Sequence, residues 1–287
     1  MVARMQQPMR DKTVVITGAT SGIGEVAARR LAGMGARIVL VARDRSRGAA
    51  VLAQLESLNA GASHSVHYAD LSRLAEMKRV GLEIAAAEPR IDVLINNAGA
   101  IFSSRQVTDD DWERTFATNH MAYFLLTHGL RARLTASHAR IVNTASSAHK
   151  GCSIDFDDLQ STKSFSPLKV YGRSKLCNIL FTRELARRWR GEGITANCFH
   201  PGFVASRFGD SGGGFTSRML AVAKMLAISP EKGAETLVYL ASSPEVTTVS
   251  GEYFYKCRPV APSAQARDDA TAARLWAESA KLAGIDA

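Results

Sequence analysis

Tyr171 and Lys175 stand four residues apart in VYGRSKLCNILFTRELARRW, a stretch of helical periodicity, so the phenol and the ammonium project from one helix face. A tyrosine ordinarily holds its proton to about pH 10, and a fixed positive charge beside it favours the phenolate. Such a pair can exchange a proton with an alcohol or a carbonyl. On its own the spacing more often marks two surface residues on a shared face. The elements that would have to position the pair decide its meaning.

The segment KTVVITGATSGIGEVAARRLAGMGARIVLVARD supplies the first of them. An apolar run, Val14–Ile16, leads into glycines at 18, 22 and 24 and then into an amphipathic stretch, which predicts strand, tight loop and helix. Glycines let the backbone approach a pyrophosphate, and the free N–H groups and positive dipole end of the helix attract it. A glycine triplet alone could serve only as a turn. Here a strand precedes it, a helix follows, and a second apolar run, Ile38–Val41, arrives at the βαβ distance. That second run ends Val41-Ala42-Arg43-Asp44, where ribose contacts are made in this architecture. A carboxylate there would repel a 2′-phosphate, whereas the Arg43 guanidinium suits one, so NADP(H) is the expected cofactor. The alternative is that Arg43 faces solvent while Asp44 caps the next helix or takes the ribose itself.

With these pieces and those that follow in order, the chain resembles the short-chain dehydrogenase/reductase family. The matching motifs are TGATSGIG at 17–24, Asp70-Leu71, NNAG at 96–99, Asn119, the serine of VNTASS, Tyr171 with Lys175, and Pro201-Gly202. The helix YGRSKLCNILFTRELARR, the insert CSIDFDDLQ and the tail from SPEKGAETLVYLA to SAQARDDATAARLWAESAKL are similar to the retinol-dehydrogenase-like branch.

The resemblance implies a doubly wound α/β Rossmann domain and reversible hydride transfer between a nicotinamide and a carbon bearing oxygen. It makes Tyr171 the acid in reduction and the base in oxidation. Lys175 holds the nicotinamide ribose and acidifies the phenol, Ser146 hydrogen-bonds the substrate oxygen, and the Asn119 amide links Lys175 to a proton relay. Ser147 stays open beside Ser146, because the family's Ser-Ser pair reads Ala145-Ser146-Ser147 here. Nucleotide contacts are implied for Gly18, Thr20, Ser21, Gly22, Ile23, Gly24, Asp70, Leu71, Asn97, Ala98, Gly99, Pro201, Gly202 and Val204, besides Arg43, Tyr171 and Lys175. Homodimers or homotetramers are common in the family and are carried as an expectation.

At 287 residues and 46% hydrophobic, the chain can form one domain spanning 1–287 that buries roughly three quarters of its extended surface. Further apolar runs at Val93–Ile95, Arg140–Thr144 and Thr195–Phe199 alternate with helical stretches, and a seventh strand is expected near Gly251–Phe254. Residues 1–10 read as a loose leader. In 203–229, Gly212 to Gly214 precede FTSRMLAVAKMLA, which could be a lid over the nicotinamide or an ordinary core-packing helix. As a lid, its Phe203, Phe208, Phe215 and Met219 would line an apolar pocket, and a lipophilic aldehyde, ketone or alcohol is the expected substrate. Asp155, Asp157 and Asp158 read as solvated loop carboxylates.

Lysine and arginine exceed aspartate and glutamate by 36 to 27, a net charge of +9. Yet the arginines are scattered along helices with no aromatic-interleaved basic stripe, so nucleic acid is not an expected partner. The four cysteines lack C-x-x-C spacing and suggest no metal set; Cys177 should face inward. No run of about 18 apolar residues and no secretory h-region is visible, which leads to the expectation of a cytoplasmic enzyme without an integral membrane anchor. Two other functions remain in view. One is a ketoreductase of microbial secondary metabolism acting on an aromatic or polyketide ketone; the other is a non-catalytic NADP(H)-binding regulator, which would have no need of Ser146, Tyr171 and Lys175 together.

Overall fold

The computed structural model describes residues 7–202 and 228–286. Within them the chain runs β1 (Thr13–Thr17), α1 (Gly22–Gly33), β2 (Arg37–Ala42), α2 (Arg45–Leu58), β3 (Ser65–Tyr68), α3 (Leu74–Ala87) and β4 (Val93–Asn96). It continues through α4 (Arg114–Phe116), a π turn at Ala117–Met121, α5 (Ala122–Gly129), α6 (Arg131–Ala136), β5 (Arg140–Thr144), α7 (Pro167–Arg188) and β6 (Thr195–Phe199). After the undescribed stretch come α8 (Pro230–Gly233), α9 (Glu235–Ser242), β7 (Tyr253–Tyr255), β8 (Arg258–Pro259) and α10 (Asp269–Ala283).

The strands form one sheet in the order β3-β2-β1-β4-β5-β6-β7-β8, parallel except for the antiparallel β7–β8 pair. β1 and β4 are buried along their whole length, as expected of strands covered on both faces. Alternate side chains enter opposite layers. Val15, Leu94 and Ile141 join the layer of α3, α5, α7 and α10, while Val14, Ile16 and Ile95 join that of α1, α2 and α9. The direction of winding reverses between β1 and β4, and ligands of such sheets bind in the crevice beyond the carboxyl ends of the strands at that point.

The helix carrying Tyr171 and Lys175 begins at Pro167, whose fixed φ suits the first helical position. It runs 22 residues and buries a broad face from Val170 to Leu185. Helix α10 lies along it, capped by Asp268, whose carboxylate accepts from the Ala270 and Thr271 amides, and ended by Gly284 in the left-handed region.

Three expectations need correction. The seventh strand begins at Tyr253, because Gly251 turns the chain at φ +86° and its amide bonds to the Ala196 carbonyl. Within the expected leader, Gln7–Arg10 are not loose: Met9 is buried against the α1 layer, and its amide donates to the Met34 carbonyl at 3.0 Å. Asp158 is buried, not solvated, and accepts from the Thr162 amide and hydroxyl and the Lys163 amide, fastening the insert that precedes α7. The expected lid (203–229), with Phe203, Val204, Phe208, Phe215 and Met219, falls almost wholly outside the described residues; only Ile228 and Ser229 of it are described.

Candidate active site

The carboxyl end of β5 is the anchor. The Thr144 carbonyl accepts from Lys175 Nζ at 3.0 Å and from Asn178 Nδ2 at 3.1 Å, which ties α7 to the strand end. Positions 171, 174, 175 and 178 share one face of α7. Just beyond Thr144, Ser146 has an extended backbone and caps a short 3-10 turn, Ser147–His149, its hydroxyl oxygen accepting from the Ala148 amide at 3.2 Å. The Ser146 side chain is hydrogen-bonded to the Tyr171 phenol, whereas Ser147 is exposed. Of the two serines, Ser146 is the one in contact with the tyrosine.

Lys175 is buried, with Nζ lying 5.7 Å from the Tyr171 ring centroid and 5.6 Å from that of Tyr123, itself fully buried. Burial pushes the lysine down to about 7 and the phenol up to about 12, the latter opposed by the bond to Ser146. Burial thus acts on the phenol against the acidifying charge expected of Lys175. Both groups are desolvated, and the lysine nitrogen is directed to the Thr144 carbonyl, so the resting phenol keeps its proton.

Asn119 lies in the π turn, a helical irregularity that recurs at functional sites. Its Oδ1 accepts from the Ala100 amide at 2.8 Å, and its Nδ2 donates to the Ala100 carbonyl at 2.9 Å and to Ser174 Oγ at 3.0 Å. The side-chain amide thus joins the loop after β4 to α7 and makes no direct bond to Lys175. Gly99 completes the junction: a Cβ there would stand 3.2 Å from Asn119 Oδ1 and 3.3 Å from Lys175 Nζ.

The nucleotide-binding candidates gather around the switch point. Gly18 has φ +67°, and a Cβ on it would come within 2.7 Å of the Ala98 Cα, so the loop lies directly against the end of β4. Asn97 Nδ2 donates to the carbonyls of Thr17 and Gly18, and the Thr17 hydroxyl accepts from the amides of Asn97 and Ala98. A Cβ on Gly24 would overlap the Gly18 carbonyl, which keeps the first turn of α1 tight on its strand. Ser21 is exposed and its side chain makes no cap, so the first-turn N–H groups of α1 are left for an anion. Thr20 and Ile23 stand half-buried in the same loop.

Arg43 is exposed at the end of β2. Asp44 caps α2, its carboxylate accepting from the Arg47 amide at 2.9 Å. The Asp70 carboxylate turns onto Ser72, accepting from its amide and hydroxyl, and the Leu71 side chain belongs to the core. Pro201 and Gly202 follow β6, Gly202 at φ +89°. The site therefore unites Ser146, Tyr171, Lys175, Asn119 and Gly99 at one locus, with the Gly18–Gly24 loop, Asn97 and Ala98 beside it. Ser174 and Asn178 share the helical face already singled out and could have been found from that spacing. Thr144 contributes a carbonyl, which any residue type could supply.

Residues 12–212 match the family described as short chain dehydrogenase. Human retinol dehydrogenase 13 is 39% identical over 283 residues, 96% of this chain and 86% of its own length. Among solved structures, that of an uncharacterized protein from Mycobacterium Paratuberculosis aligns with a TM-score of 0.78 at 32% identity, covering 97% of this chain and 95% of its own. A short chain dehydrogenase from Burkholderia cenocepacia J2315, solved in complex with NADP, aligns with a TM-score of 0.69 at 25% identity over 86% of this chain and 96% of its own. The chain belongs to the short-chain dehydrogenase/reductase family, oxidoreductases acting on CH–OH and C=O groups with a nicotinamide cofactor. Within that family it is retinol-dehydrogenase-like.

Proposed function

We propose that the protein is an NADP(H)-dependent oxidoreductase that interconverts a lipophilic aldehyde or ketone and its alcohol. The observation that carries this reading is the convergence of Ser146, Tyr171 and Lys175 at the end of β5. A phenol that keeps its proton to about 12 is poised to give it to a carbonyl oxygen as charge develops there. Ser146, already bonded to that phenol, orients the same oxygen and stabilises its charge. A bound nicotinamide supplies or takes up the hydride. In the direction of oxidation Tyr171 receives the hydroxyl proton, and Lys175, Asn119 and the Ala100 backbone hold the helix face that presents it.

The preference for NADP(H) is supported by Arg43 at the end of β2 and by the engagement of Asp44 in capping, which removes a carboxylate from the ribose. The NADP complex of the Burkholderia relative is consistent with it. Lipophilicity of the substrate is supported by the retinol named for the human relative. Cytoplasmic location and a homodimeric or homotetrameric state belong to the same reading. No described helix is long and apolar enough to cross a membrane.

A panel of aldehydes, ketones and alcohols followed by NADPH absorbance tests the reading. Tyr171→Phe should lower kcat by about 10²–10⁴-fold while leaving NADPH binding nearly intact. A mutant keeping most of the wild-type kcat would reject the role. Arg43→Ala should raise the KM for NADPH by an order of magnitude or so and leave that for NADH little changed. A lower wild-type KM for NADH than for NADPH would overturn the cofactor preference.

A further inference from the structure

His149 closes the turn that begins at Ser146, and it is fully buried. Its Nδ1 lies 2.6 Å from the Ser146 carbonyl oxygen, and its Nε2 lies 3.2 Å from the Ser263 amide nitrogen. A carbonyl can only accept and an amide N–H can only donate, so Nδ1 carries the ring proton and Nε2 is bare. Both ring nitrogens are engaged with backbone, which leaves neither to touch a substrate. The Ser146 carbonyl also accepts from the His149 amide at 3.2 Å, so one residue fixes that peptide plane twice. The ring stands edge-on to Tyr253 of β7, 5.2 Å between centroids.

Ser146 has reason to be held. Its hydroxyl oxygen accepts from the Ala148 amide, and its side chain must meet Tyr171. A rotation of the 146–147 peptide would shift the turn that follows and with it the Ala148 amide to which the Ser146 hydroxyl is bonded. Resting on the oxidoreductase reading above, we propose that His149 is a positioning residue for the reaction: a neutral imidazole clamp that ties the backbone of Ser146 to the chain segment at Ser263 and so aims the Ser146 hydroxyl. Burial lowers the ring's pKa, opposed by its bond to the Ser146 carbonyl and aided by the charge of Lys150. The other titratable rings around it are His200 and Tyr253.

Three substitutions separate this role from simple packing. The Asn amide nitrogen can take the place of ring Nδ1, whereas the Gln side-chain oxygen can take that of Nε2. His149→Ala should lower kcat by about 10- to 100-fold, the range expected for misplacing a reacting group, with the NADPH Kd within about twofold of wild type. His149→Asn should recover most of that loss and His149→Gln little of it, although all three lose thermal stability. Wild-type kcat in His149→Ala, equal rescue by Gln and Asn, or a kcat that follows melting temperature across the series would overturn the proposal. Nitrogen-15 spectra of the labelled wild-type protein read the clamp without turnover. They should show the Nδ1-protonated neutral tautomer from pH 6 to 8, and a ring that gains a proton or mixes tautomers in that range would overturn it. A wild type that turns over no member of the panel, with the tautomer intact, would instead count against the oxidoreductase reading.

Discussion

Lys175 sits between a backbone carbonyl and two aromatic rings, and burial lowers it to about 7 from an ordinary value of 10.5. The unfolded chain keeps that proton up to the ordinary value, so between about 7 and 10.5 the unfolded state binds more protons than the folded one. The residue's contribution to stability is therefore smallest below pH 7 and grows as pH rises. Urea titrations of wild type and Lys175→Met should show the wild-type advantage increasing from pH 7 to 9, by at most about 1.4 kcal/mol per unit. A difference independent of pH would mean that the folded lysine stays charged. At this scale the chain was readable where a side chain's chemistry needs a fixed spacing: Tyr171 and Lys175 are one helical turn apart, and Ser146 follows a strand. Tyr123 and the Thr144 carbonyl were not legible, because their proximity to Lys175 across 52 and 31 positions of sequence is created only by packing.

At the level of elements, the contact between α7 and the turn Ser147–His149 depends on a missing side chain. A Cβ on Gly172 would overlap the Ala148 carbonyl and stand 2.7 Å from Cys152 Sγ. Gly172→Ala gains about 1 kcal/mol of helix propensity, but it forces the turn off α7, an overpacking cost of about 1–3 kcal/mol. The expected outcome is a lower melting temperature together with a reduced kcat, since the displaced turn carries Ser146. Unchanged kcat would show that the turn tolerates the shift. Half-buried β3 offered no apolar run, but β1, β2, β4, β5 and β6 were visible as such because their buried faces leave little polar alternation to confuse them. The start of β7 was not, since a glycine at positive φ looks in sequence like any glycine at a strand end. Asp158 misled for a related reason: a carboxylate that fastens a buried loop has the same composition signal as one in water.

For the molecule as a whole, α10 seals one face of the sheet. Trp276 packs against Phe124, Phe181 and His128 with centroid separations of 5.2, 5.7 and 4.9 Å, and Arg188 lies over its ring. Arg183 pairs with Asp269 at the helix start. Trp276→Ala should cost about 3–5 kcal/mol in chemical denaturation while leaving the Michaelis constants near wild type, because the cluster lies behind α7 and away from Tyr171. A loss under 1 kcal/mol would mean that α10 is a loosely attached appendage. Sequence identified this tail as a branch feature but not its seat, which long-range packing alone determines. The positive balance was readable, and its distribution was not. Glu76 and Glu83 flank Arg79, and Glu184 meets both Arg187 and Arg188, so these three carboxylates and three guanidiniums balance one another and the excess resides on other residues.

The hairpin joining β7 to β8 turns on Lys256 and Cys257, both at positive φ, and delivers Arg258 and Pro259 to the outermost position. Proline offers no amide hydrogen, and arginine brings charge to a rim only two residues long. That margin cannot serve as a template on which a neighbouring molecule lays down a strand. Fibril growth has no foothold at this border.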